Sequence, residues 1–173
     1  MPLPIKEAPV KSVKKLTTLA LFSTIALTIF LLESLIPPLV PIPGIKLGLA
    51  NIVTLILLAN ATWRDALIVL LVRIILGSIF AGQMMSFFYS LAGGLACLLV
   101  MAIFHHFLGS RLLWFTSIMG ALAHNTGQIA VAAIVLGSGY VLFYYPYLII
   151  SGIITGLFTG LAAWYVHPRL PKI

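Results

Sequence analysis

Uncharged apolar runs, each about as long as a membrane-crossing helix, alternate along this chain with short segments where Lys, Arg, Pro and Gly collect. In lipid a helix satisfies its own backbone hydrogen bonds, and about 20 residues at 1.5 Å rise cross the hydrocarbon. On that rule the first span covers residues 16–36 and stops at Pro37 and Pro38, while Pro41, Pro43 and Gly44 exclude helix from the loop that follows. A second, slightly short span over 47–63 ends where Arg64 and Asp65 open a turn. The third covers 66–80, and Ala81, Gly82 and Gln83 separate it from a fourth over 84–107. Residues 112–168 hold no Asp, Glu, Lys or Arg, and a cut at Gly137-Ser138-Gly139 gives a fifth span over 112–136 and a sixth over 145–166. Tyr140, Tyr144, Tyr145 and Tyr147 cluster at that cut, as amphipathic rings do at a membrane interface. The expected fold is an all-α integral membrane protein with about six transmembrane helices: a segment 1–15, a transmembrane domain 16–167 and a tail 168–173.

Composition agrees. Of 173 residues, 62% are hydrophobic and 8% charged, where a soluble domain needs roughly a quarter charged. The net charge of +7 does not form a nucleic-acid patch, because the basic residues are scattered between the runs. They sort by side instead. With the N-terminus inside, Lys6, Lys11, Lys14, Lys15, Arg64, Arg111, Arg169 and Lys172 are cytoplasmic, Lys46 is outside, and Arg73 lies within the third span. That asymmetry places both termini in the cytoplasm. The lysine-rich start resembles a signal peptide, but the uncharged run after it is longer than an h-region and no small-x-small site follows Glu33, so no cleavage is expected. Cys97 is the sole cysteine, which excludes a disulfide framework or a CxxC pair.

Intramembrane charge is a functional candidate by default, which brings Glu33 and Arg73 forward. Counted from the cytoplasmic ends, Arg73 lies about 12 Å deep and Glu33 about 25 Å deep. Glu33 has three available partners: Arg73, Lys46, or the outer loop, which it would cap. Either residue could also simply lock two helices together. His124, Asn125 and Gln128 share one sector of the fifth span and cannot face lipid. With Asn51 and Gln83, which begin the second and fourth spans, these groups gather toward the outer half of the bundle, where an apolar pocket with a few orienting polar groups suits a small ligand. Interhelical hydrogen bonding is the competing role. Gly152, Gly156 and Gly160 form two overlapping GxxxG steps that predict close helix packing. The chain has no P-loop. Its acids Glu7, Glu33 and Asp65 are too dispersed to hold a Mg²⁺ pair, His105 and His106 diverge on a helix with no third ligand, and no buried acid orients a Ser-His pair. No cofactor, metal or catalytic residue is expected.

The run Pro43-Gly44-Ile45-Lys46-Leu47-Gly48-Leu49-Ala50-Asn51-Ile52-Val53-Thr54, then Arg73 with Leu76-Gly77-Ser78, Ser90-Leu91-Ala92-Gly93-Gly94, and Ala123-His124-Asn125-Thr126-Gly127-Gln128 resembles the Gx transporter family, also labelled heptaprenyl diphosphate synthase component I. That family is similar to the substrate-binding S components of energy-coupling factor (ECF) transporters. The resemblance implies six helices, cytoplasmic termini, an outward-facing pocket, and a coupling-subunit contact on the first helix, where Ala20 and Thr24 are the nearest match. It implies a bacterial cytoplasmic membrane protein that captures a small molecule for partner ATPases. Candidate substrate-binding residues are Glu33, Lys46, Asn51, Arg73, Gln83, His124, Asn125 and Gln128. The alternative is a noncatalytic membrane subunit of a prenyl diphosphate synthase or redox assembly, because prenyl synthases need aspartate-rich motifs and Asp65 is the sole aspartate. An autonomous ion-coupled carrier using Glu33 or Arg73 is a third reading.

Overall fold

The computed structural model describes residues 10–37, 45–82 and 84–172. Among them lie six α-helices and no strand: α1 (Val10–Glu33), α2 (Asn51–Asn60), α3 (Trp63–Ala81), α4 (Met84–Leu108), α5 (Leu113–Leu136) and α6 (Tyr145–Val166). Short 3₁₀ turns, Gly109–Leu112 and Gly139–Tyr144, join α4 to α5 and α5 to α6. Three stretches are long and apolar enough to cross a membrane: Val13–Glu33, Met84–Leu136, which carries both α4 and α5, and Gly139–Arg169.

Local chemistry fixes the ends. Thr62 and Asp65 form a capping box at the start of α3, and Asp65 also pairs with Lys15 of α1 at 2.9 Å. Left-handed Gly82 and Gly137 terminate α3 and α5, and a proline in the first turn starts α6. Two elements depart from expectation. Helix α1 begins at Val10 rather than near residue 16, because the lysine-rich segment is itself a good helix former. It ends at Glu33 rather than Ile36, since the Pro37 ring would clash with the Glu33 carbonyl.

The larger correction is α2. The expected span over 47–63 is a helix of 10 residues, about 15 Å long and half a hydrocarbon thickness. Gly48 at φ 80° breaks it. Residues 45–50 therefore run through the bundle without helix, with Ile45 and Ala50 buried.

Helix α2 is buried almost all round, and Leu55 and Leu57 form the core with Leu70 and Ile74 of α3, Met101 of α4 and Leu113 of α5. Helix α5 packs closely on α4 and α6, whereas α1 leans chiefly on α3 at the edge. The GxxxG expectation holds. A methyl added at Gly156 would sit 2.7 Å from Ile118 Cα, and one at Gly160 2.5 Å from Trp114 Cα, so α6 touches the backbone of α5.

Candidate functional site

Non-helical backbone inside a bundle needs partners that a helix would have supplied itself. Two side chains supply them here. The Glu33 carboxylate accepts the backbone N–H of Gly48 at 2.6 Å and of Leu49 at 3.0 Å, one on each oxygen. Gln128 of α5, with its amide oriented to suit its neighbours, donates to the Lys46 carbonyl at 2.9 Å. Its oxygen accepts from the Lys46 N–H at 3.3 Å and from His124 Nε2 at 3.1 Å. Of the partners open to Glu33, the structure selects the loop: among the described residues no ion pair joins it to Arg73 or Lys46.

Arg73 and Lys46 share Phe30 of α1. The Lys46 ammonium lies 3.4 Å from the ring centroid and donates to Ser34 Oγ, while the Arg73 guanidinium lies 5.6 Å from the same centroid. Arg73 is only 2% exposed, and its one hydrogen bond, to Asn51 Oδ1, is long at 3.5 Å. Its Nε has no partner among the described residues, nor have Asn51 Nδ2 and His124 Nδ1. Because α2 is short, Asn51 sits about 14 Å from the α2–α3 turn, level with Arg73 rather than near the outer surface as expected.

His124 fits between glycines. A methyl on Gly48 would lie 2.9 Å from its Cδ2, and one on Gly93 would lie 2.8 Å from its Nδ1. Nε2 faces the Gln128 oxygen, and Nδ1 faces Gly93. His124 and Gln128, one turn apart, thus join the centre with Glu33, Lys46, Asn51 and Arg73.

Asn125 does not. Its Nδ2 donates to the Leu148 carbonyl at 2.6 Å, so it belongs to the α5–α6 seam beside Gly152. Gln83 lies outside the described residues. Ala20 and Thr24 are both exposed on α1, with the Thr24 hydroxyl donating to the Ala20 carbonyl. Sequence reasoning missed Phe30 as the shared platform, although it lies one turn before Glu33 and on the same helix face. It also missed Gly93 as the seat of the imidazole.

Apolar helices of crossing length around a buried polar centre define a helical membrane protein. The family model of heptaprenyl diphosphate synthase component I matches residues 22–166, and the chain belongs to that family. No curated protein and no solved structure matches it.

Proposed function

We propose that this chain is a membrane substrate-binding subunit for small-molecule uptake, energised by a transmembrane coupling subunit and ABC-type ATPases as in ECF transporters. The observation that carries this reading is the centre at Arg73, Asn51 and His124. Three buried polar side chains there keep unpartnered atoms inside an apolar bundle, where an unsatisfied group is expensive unless something else uses it. The ligand reaches them when residues 45–50 leave Glu33 and Gln128, so these two residues hold the access segment while Arg73, Asn51 and His124 contact the ligand. The reading includes six crossings, α2 being completed by residues 45–50, with both termini on the cytoplasmic side of a bacterial inner membrane. The exposed Ala20 and Thr24 face of α1 meets the coupling subunit. The chain is noncatalytic.

Affinity purification from native membranes in mild detergent tests it. Recovery of ATPase and coupling subunits, together with ligand uptake that needs them, is the expected result. The family description favours a second reading, a noncatalytic membrane partner of a prenyl diphosphate synthase. Recovery of a synthase without ATPases would establish that reading and overturn the first.

A further inference from the structure

The centre, with Lys46 partly exposed at its edge, contains more positive charge than it neutralises. Among the described residues Glu33 is the one acid near it, since Asp65 pairs with Lys15; Glu7 lies outside them. Both Glu33 oxygens accept backbone N–H groups, as an ionised carboxylate does. Against its single negative charge stand Arg73 and Lys46, both on the Phe30 ring. The sum is one positive charge. The least satisfied member is Arg73, whose guanidinium has five N–H donors, one long bond to Asn51, and an unpartnered Nε. Asn51 turns its oxygen to Arg73 and leaves its own Nδ2 unpartnered. Two side chains in contact therefore both present free donors.

Building on the capture reading above, we infer that Arg73 and Asn51 bind the carboxylate of a monoanionic small molecule, and that the site rejects phosphate and diphosphate head groups. A planar carboxylate matches the guanidinium fork and brings one negative charge, which neutralises the centre. A phosphate brings about −1.5 to −2 at neutral pH, and a diphosphate more. Either would leave an excess negative charge beside Glu33 in a low dielectric. Close packing of Gly48, Gly93 and Gly94 around His124 and Arg73 keeps the head group small.

The test uses the full chain in phosphatidylcholine nanodiscs, with thermal unfolding followed by tryptophan fluorescence. The probes are nicotinate, benzoate and octanoate, their neutral counterparts nicotinamide, benzamide and octanol, and phosphate, diphosphate and isopentenyl diphosphate. A concentration-dependent upward shift with at least one carboxylate, absent with its neutral counterpart and with the phosphates, is expected. Asn51→Asp supplies an internal carboxylate 3.5 Å from the guanidinium. It should unfold at a higher temperature than wild type without any probe and lose the carboxylate shift. Arg73→Gln should also lose the shift while unfolding no lower than wild type, since it removes the one positive charge in excess. An equal or larger shift with a neutral compound or a diphosphate would overturn the carboxylate assignment while leaving capture standing. So would no shift with any probe, since recovery of ATPases judges capture separately. Destabilisation by both Asn51→Asp and Arg73→Gln without probe would show that the pair serves packing alone, and would overturn the site.

Discussion

Glu33→Gln isolates what holds residues 45–50 inside the bundle. The native carboxylate takes two backbone N–H groups, at 2.6 and 3.0 Å, and hydrogen bonds to a charged group contribute roughly 1.5–3 kcal/mol each. Glutamine keeps the shape and one acceptor oxygen. Its amide nitrogen then faces the second N–H, donor against donor, so one strong bond is lost and a buried donor is left without a partner. The expected destabilisation of the closed segment is about 2–4 kcal/mol. At 1.4 kcal/mol per tenfold, its opening becomes about 30- to 1,000-fold more frequent. Thiol labelling reads this directly: Ile45→Cys, at a buried position of the segment, in a Cys97→Ala background in bicelles, should be modified faster by that factor when Glu33→Gln is added. Equal labelling rates, together with unfolding free energies within about 0.5 kcal/mol, would refute the claim that Glu33 holds the segment.

Gln128→Leu removes the second set of bonds, to the Lys46 carbonyl and N–H, and should raise labelling of Ile45→Cys by about 10- to 100-fold, because neutral bonds of about 1 kcal/mol are lost and both groups stay buried. Gly156→Leu drives a side chain into the α5 backbone at Ile118 and should cost at least about 1–3 kcal/mol by reversible unfolding in bicelles, whereas Gly139→Ala, with open space around it, should change little. Thr62→Ala breaks the capping box of α3 and should cost about 1 kcal/mol. Lys15→Met removes a pair whose lysine side chain is 44% exposed and should cost less than that in the same assay.

The uncharged apolar runs made α3 to α6 legible to within a few residues, since Gly82 and the Gly137-Ser138-Gly139 cut punctuate them and each helix satisfies its own backbone. Helix α2 was not legible. The run from Leu47 to Trp63 is apolar enough to span, and nothing in its hydropathy marks Gly48 as left-handed or the preceding residues as non-helical. Only tertiary partners decide that, because two acceptors on α1 and an amide on α5 make the broken conformation affordable. The polar residues were found, but their roles were mixed. Angular position on a helix groups Asn125 with His124 and Gln128, yet the neighbours differ: α6 faces Asn125, while residues 45–50 face the other two. Which helix stands opposite is not written in a single helix's periodicity.

The broken segment explains why the polar residues of this centre fall into two groups. A continuous α2 would bond its own backbone and need neither Glu33 nor Gln128. Keeping the break makes both necessary, and it also brings Asn51 to the level of Arg73 and sets Gly48 against His124. Glu33 and Gln128 are saturated by the segment they hold. Arg73, Asn51 and His124 keep unpartnered atoms in the same place. Discontinuous helices in transporters serve this combination, exposing polar groups at mid-depth where a regular helix would hide them. The two groups should therefore separate in experiment. Substitutions at Glu33 and Gln128 should change how readily residues 45–50 open, whereas on the capture reading proposed above substitutions at Arg73 and Asn51 should change what binds once they have opened.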